Sequence, residues 1–313
     1  MLAVPHRFVT TDPSLLHRAA ALAAGHQQRR AGTLYVVATP IGNLADLTLR
    51  AIHVLGHVDA VACEDTRVAA QLLNHLGLHK PLLALHAHNE HGAAQAVLLR
   101  LAAGESVAYV SDAGTPAVSD PGAVLVAAAA GAGHTVVPLP GASSALAALS
   151  AAGDALGAGF IFIGFLPAKG GERREALAAV LVERRTQVLF EAPHRIADLL
   201  TALAGADRPI TLCRELTKQF ETIVTKPAAE LPAWLAEDKN RERGEFVLVL
   251  HALAPAPADA NALPEAALQT LQVLQRELPL KQAVALAAEI TGAPRNALYQ
   301  HALAARQQQD GTD

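Results

Sequence analysis

Between residues 33 and 153 the chain alternates short apolar runs with longer helical ones. The runs "TLYVV", "AVACE", "PLLAL", "SVAYV" and "HTVVPLP" have strand length and β-branched content. Between and after them come "ADLTLRAIHVLGHVD", "TRVAAQLLNHLG", "GAAQAVLLRLAAG", "AVLVAAAAGAG" and "ASSALAALSAAG", whose apolar residues recur at helical spacing. In the first of these, Leu44, Leu47, Ile52, Leu55 and Val58 share one helical face. Strands joined through helices are parallel neighbours, so this stretch predicts an open α/β sheet with helices on its faces. The glycines of "DALGAGF" interrupt the alternation and mark a boundary between residues 153 and 160. A second set follows: "FIFIGF", "TQVLFE", "PITLCRE" and "GEFVLVLHA" as strands, with helices between them and turns short enough for a mixed sheet.

The expected organisation is a peripheral extension over residues 1–31, an N-terminal α/β domain over 32–153 and a C-terminal α/β domain over 160–252. A Pro/Ala linker over 253–263 and a helical extension over 264–306, with turns at Pro279 and Gly292, complete it. At 313 residues the chain is long enough to bury more than one core. Only 4% of residues are aromatic, so alanine, leucine and valine must do the packing. The net charge of -4 gives no overall attraction to nucleic acid; such binding would need local basic patches. Cys63 and Cys213 sit in apolar runs without ligand spacing and read as buried free thiols. No run reaches membrane-spanning length, and the expected compartment is the cytoplasm.

In an open α/β sheet, ligands bind beyond the carboxyl ends of the strands. Three strand-to-helix loops there are rich in Gly and Pro. The loop "VSDAGTPAVSDPG" carries Ser111, Asp112, Ala113, Gly114, Thr115 and Pro116, a rigid run that exposes backbone N–H groups to a ligand. Its end, Asp120-Pro121-Gly122, reads as an N-cap followed by proline at the first helical position. "ATPIGN" places Pro40 after a strand but is neither a P-loop nor a dinucleotide fingerprint. "PLPGASS" offers Ser143 and Ser144, as helix cap or as ligand contact. "CEDTR" puts Arg67 behind a capping Asp65 or Thr66. "HAHNEH" brings His86, His88 and His91 together, but no second cluster completes a metal site, and no metal is expected. In the second half, "FLPAKG", "EAPHR" and "RELTKQFE" each follow a strand. They bring Lys169, Glu191, His194, Arg195, Arg214, Glu215, Lys218 and Glu221 to one edge, as surface ion pairs or as phosphate contacts.

These motifs, taken together and in this order, resemble the tetrapyrrole-methylase superfamily of S-adenosylmethionine-dependent methyltransferases. Within it they are similar to the bacterial branch that methylates a cytidine 2′-hydroxyl of 16S ribosomal RNA. The similarity runs from "LYVVATPIGNLADLTLRA" through "EDTR", "LHAHNE", "VSDAGTPAVSDPG", "VVPLPGASSALAALSAAG", "GFLPAKGGERREAL", "FEAPHR" and "RELTKQFE" to "GEFVLVL", and the tail "LKQAVALAAEITGAPRNALYQHAL" looks like that branch's helical extension.

The resemblance implies two α/β domains with S-adenosylmethionine in the cleft between them, in a homodimer acting on 16S rRNA in the small ribosomal subunit. The cofactor would touch Pro40, the loop 111–116, Ser143, Ser144, Phe165, Pro167 and Glu215. Lys218, Glu191 and Lys169 are the candidates for assisting loss of the 2′-hydroxyl proton. Arg67, Asn89, His194, Arg195 and Arg214 would hold RNA, with Arg173, Arg174, Arg241 and Arg243 on its phosphates. The helical tail would be a small helix-turn-helix element for nucleic acid, or else a dimer-stabilising bundle. Two other readings remain: a porphyrinoid C-methyltransferase on the same fold, and a nucleic-acid-binding regulator with an inactive catalytic domain.

Overall fold

The computed structural model describes residues 12–26, 30–86, 89–254 and 263–310. It divides into two compact units, Met1–Leu253 and Ala254–Asp313. The first holds two five-stranded sheets. Strands β1 (Thr33–Val37), β2 (Ala60–Cys63), β3 (Leu82–Ala84), β4 (Val107–Val110) and β5 (Thr135–Leu139) form the first, ordered β3-β2-β4-β1-β5. Every pairing in it is parallel. The central strands β2 and β4 are buried at every residue, as expected when helices cover both faces.

Side chains alternate across the sheet. Tyr35 and Val37 pack on one face with Ile52, Leu55, Ala69 and Leu73 from helices Leu49–His57 and Thr66–His75. Leu34 and Tyr109 pack on the other with Val97, Leu101, Leu125 and Ala129 from helices Glu90–Ala102 and Ala123–Gly131. The first crossover differs from its sequence pattern. Its α-helix starts only at Leu49, capped by Thr48, whose hydroxyl accepts the Ala51 N–H at 3.1 Å. Leu44 lies in a separate 3-10 turn and is exposed, so it does not share the helical face with Ile52 and Leu55.

The second sheet, β6 (Phe160–Phe165), β7 (Thr186–Glu191), β8 (Pro209–Arg214), β9 (Thr222–Pro227) and β10 (Phe246–Leu250), is ordered β6-β7-β10-β8-β9 and is mixed. Strand β9 has no counterpart in the sequence reading. It alternates half-buried with exposed residues and ends in Pro227, the signature of an edge strand. One face of this sheet is covered by leucines of helices Ile196–Leu203 and Leu231–Ala236. The other receives helix Ser144–Ala152, whose Ala145, Ala148 and Ala152 lie against Val188, Cys213, Val247 and Val249. The three buried alanines let that helix approach closely, with Leu149 packed beside them, and it joins the two sheets into one unit.

Cys63 and Cys213 are free and buried, and burial pushes their thiols up to about 11 and about 12. Both are therefore held protonated, away from nucleophile or ligand chemistry. The second unit packs helices Glu265–Leu274, Leu280–Thr291 and Arg295–Asp310 around Ala267, Leu271, Val284, Ala287 and Leu298. The left-handed Gly292 ends the middle helix.

Candidate active site

The strand order decides where the loops meet. Strand β1 lies between β4 and β5, so the loops leaving those three carboxyl ends are neighbours. They are stitched together by backbone. Thr39 and Gly114 exchange N–H···O bonds of 2.9 and 3.0 Å. The Thr39 hydroxyl donates to the Ser111 carbonyl at 3.2 Å, and the Thr115 hydroxyl to the Ala142 carbonyl at 3.0 Å. Beyond β2, the Asp65 N–H donates to the Asp112 carboxylate at 3.1 Å. Asp65 caps helix Thr66–His75 and binds Arg67 at 2.5 Å, which holds its carboxyl down at about 2.

The expected local cap at Asp120-Pro121-Gly122 is not what forms. Helix Ala123–Gly131 starts after Gly122, at φ 121°, and no side chain of that turn caps it. The Glu90 carboxylate does so from another helix, accepting the N–H groups of Gly122 at 2.7 Å and Val124 at 3.2 Å. A carboxylate at a helix N-terminus meets both the orphan donors and the positive end of the dipole. The Tyr109 hydroxyl donates to the Pro121 carbonyl, and its ring stands where a side chain at Gly122 would be. The loop is thus held from two sides and Asp120 is left free of capping duty.

A cavity of about 350 Å³ opens between the two sheets. The first sheet supplies Ile41, Ala113, Ser119, Asp120 and Ser144; the second supplies Phe165, Phe190, Glu191, Leu216, Glu245 and Val247 among others. Phe165 is 55% exposed, with its ring edge-on to Phe190 at 5.6 Å. A smaller cavity of about 230 Å³ lies on the other side of the stitched loops, lined by Pro40, Ser111 and Asp112 with helix Thr66–His75.

The expected cofactor residues therefore divide. Ala113, Ser144 and Phe165 line the larger cavity, and Pro40, Ser111 and Asp112 the smaller. Gly114 and Thr115 form the stitches, while Pro116 is buried beside them. Ser143 is the helix cap, accepting the Leu146 N–H. The carbonyl of Pro167 is taken by Arg173 at 3.1 Å and Arg195 at 3.2 Å. Glu215, at φ 52°, pairs with Lys218.

The second sheet's edge is an ion network. Glu191, Arg214 and Phe246 lie in register on β7, β8 and β10. Glu191 is 2% exposed, with Arg195 at 3.1 Å and Arg173 at 3.6 Å, and it accepts the Ala192 N–H at 2.9 Å. Enclosed in this way, Glu191 holds the two guanidiniums in place, a supporting geometry where an open one for proton acceptance was expected. Arg173 and Arg195 in turn hold the loop after β6, so neither presents a free guanidinium to phosphate. Lys218 lies between Glu215 at 2.9 Å and Glu245 at 2.7 Å. Burial lowers its pKa, but the two carboxylates outweigh that and raise it above the usual lysine value. It is a fixed cation and not a proton acceptor. Its stem packs against Gly42, so it also bridges the two sheets at one side of the cleft.

Other expected RNA contacts are used locally. Asn89 accepts the His86 N–H at 2.8 Å and donates to the Ala84 carbonyl at 3.0 Å. Arg214 donates to the Arg243 carbonyl at 2.6 Å and the Phe220 carbonyl at 3.1 Å. Arg241 pairs with Glu237 at 2.7 Å and lies over Trp234. Lys169, Arg174, His194 and Arg243 are exposed on the surface. His88 lies outside the described residues, and no metal-binding cluster occurs among the described ones. Sequence reasoning missed Asp120 as a cavity residue, along with Glu90, Tyr109 and Glu245. Only the strand order and the second sheet bring them to the site.

Comparisons with known proteins show the family and agree with the fold. The family Tetrapyrrole (Corrin/Porphyrin) Methylases matches residues 33–232, and the RsmI C-terminal HTH domain matches residues 261–306. The chain is 51% identical over 275 residues to Ribosomal RNA small subunit methyltransferase I of Escherichia coli O157:H7, covering 87% of this chain and 95% of that protein. It is 51% identical over 276 residues to the protein of the same name in Pseudomonas aeruginosa, covering 87% and 97%. Among solved structures, the cobalt precorrin-4 methyltransferase CbiF shares the fold at TM-score 0.53 and 21% identity, over 72% of this chain and 97% of that one. The uroporphyrin-III C-methyltransferase of Thermus thermophilus, complexed with S-adenosyl homocysteine, does so at TM-score 0.50 and 19% identity, over 70% and 97%. With a matching family over residues 33–232 and relatives near half identity along most of its length, the chain belongs to the tetrapyrrole (corrin/porphyrin) methylase family.

Proposed function

We propose that the protein transfers a methyl group from S-adenosylmethionine to a cytidine 2′-hydroxyl of 16S ribosomal RNA, on the small ribosomal subunit. The substrate reading is carried by the near-half identity to relatives named small-subunit ribosomal RNA methyltransferases. The porphyrinoid alternative rests on solved structures no more than 21% identical, which speak for the fold alone.

The cavity between the sheets suits the cofactor. Its volume of about 350 Å³ is in the range of small-molecule sites. Ile41, Phe165, Phe190, Leu216 and Val247 give an apolar wall for an adenosyl group, and Asp120 gives an anion for a cationic one. When bound, the cofactor supplies a methyl group on a positively charged sulfur. The protein's part is alignment: the stitched loops cannot shift independently, so a ligand against Ala113 and Ser144 keeps a fixed distance from the second sheet. Lys218 stands at the side of this cleft as a held cation, suited to an RNA oxygen whose negative charge grows as its proton passes to solvent water. Lys169, Arg174, His194 and Arg243 are exposed groups available to RNA phosphates, and the three-helix unit is a further RNA contact.

The decisive experiment is transfer of tritiated methyl to small ribosomal subunits from a strain lacking the enzyme, beside free 16S RNA, with nuclease mapping. Label in a nuclease-resistant dinucleotide is expected. Cofactor binding without label would discard the ribosomal substrate. Lys218→Met is expected to lower kcat at least about tenfold while leaving cofactor affinity within twofold, as calorimetry would show.

A further inference from the structure

Three carboxylates line the cavity between the sheets: Asp120, Glu191 and Glu245. Two have cationic partners within the protein. Glu191 has Arg195 and Arg173, and Glu245 has Lys218. Asp120 has no ion-pair partner among the described residues. The charged neighbour acting on it is another acid, Asp112, and Glu64 feels both. Arg67, on the same edge, is already clasped by Asp65. The ordinary duty of an aspartate before Pro-Gly, capping the following helix, is done by Glu90. Partial burial and Asp112 push the Asp120 carboxyl above its ordinary range, against the pull of the Ser111 hydroxyl. An anion in a partly apolar cavity without counter-charge is costly, and a cationic ligand would remove that cost.

We infer that Asp120 recognises the positive charge of a sulfonium ligand, and so selects the methyl-bearing cofactor over its neutral demethylated product. The inference rests on the cofactor reading above. Cofactor and product differ by one methyl group and one unit of charge. Shape alone distinguishes them weakly, whereas a carboxylate within a few ångströms in a partly water-excluded cavity distinguishes them through charge. Transfer of the methyl abolishes the charge on sulfur, so the attraction ends when the reaction does and the product is free to leave. The backbone bearing Asp120 is fixed by the Tyr109–Pro121 and Glu90–Gly122 bonds, which keep the carboxylate on the cavity wall.

The test is calorimetric titration of the full-length protein with S-adenosylmethionine and with S-adenosylhomocysteine. Asp120→Asn keeps the shape and removes the charge. It is expected to weaken the methyl-bearing ligand about tenfold and to leave the product within twofold, while Asp120→Glu keeps the wild-type preference. Equal weakening of both ligands would mean a structural role and overturn the inference, as would no change in either. If wild type binds neither ligand, the cofactor reading itself falls, and this inference with it. Should Asp120→Asn not fold, an analogue with a titratable tertiary amine in place of the sulfonium serves with wild type. Tighter binding of its protonated form is expected, and equal binding of both forms overturns the inference.

Discussion

Gly122 shows how a single position can be decided from outside its own turn. At φ 121° it is in a conformation that side chains rarely adopt, and a Cβ there would lie 2.2 Å from the Tyr109 ring. Gly122→Ala should therefore cost about 3 kcal/mol, measured by urea unfolding. Tyr109→Phe keeps the ring and loses only the hydroxyl bond to Pro121, so about 1 kcal/mol is expected. Glu191 is the opposite case, visible in the sequence while its partners were not. "EAPHR" places an acid and basic residues at a strand end, read as surface ion pairs or as phosphate contacts. That Arg173 would approach from another helix was not readable. Glu191→Gln leaves two guanidiniums without their anion and should cost about 3 kcal/mol in the same unfolding experiment.

At the scale of elements, strands and helices with a period of two or 3.6 were legible, and those with interrupted patterns were not. Helix Ala123–Gly131 was recognisable from its run of alanines and valines. Its cap was not, because Glu90 lies some thirty residues earlier. Glu90→Ala should cost about 1 kcal/mol and speed hydrogen exchange at the Gly122 and Val124 amides, while exchange in the rest of the sheet stays unchanged. Strand β9 carries little apolar pattern because an edge strand needs only one half-buried row. The residues of "TIVTKP" supply that row through Thr222, Val224 and Lys226, which are polar or short.

At the scale of the whole molecule, the segment joining the two sheets is anchored at its start. Asp154 accepts the Thr186 hydroxyl at 2.6 Å and the Ala252 N–H at 2.8 Å. Close by, His251 shares a 2.7 Å hydrogen bond with the Thr211 hydroxyl. Burial holds the His251 pKa below its ordinary 6.5, against the pull of Asp154. Well above pH 6.5 the ring is neutral both folded and unfolded, and it adds no pH dependence. As pH falls below 6.5 the unfolded chain takes up the proton first, so stability falls. Urea midpoints measured at pH 7.5 and pH 5.5 should show that loss, and His251→Gln should reduce it. The two compact units each have their own core. Removing residues 254–313 should leave cofactor affinity unchanged and weaken binding to the ribosomal subunit, as filter binding would measure.

The alternation of strands and helices, the helical tail and the family motifs could all be read from the sequence, whereas the second sheet's directions and its edge strand could not. Each readable feature is written locally, as hydrophobic period, turn residues and short strings that need no partner to be read. The tertiary structure alone decided which loops are neighbours, which acid caps which helix, and which charges cancel. Those follow from strand order, and strand order brings together residues far apart in the chain. Asp120 and Glu191 look alike in the sequence, as acids next to proline or one residue short of it. Folding gives Glu191 two arginines and, among the described residues, gives Asp120 a hydroxyl and another acid but no cation, so one supports the site and the other faces it without a counter-charge.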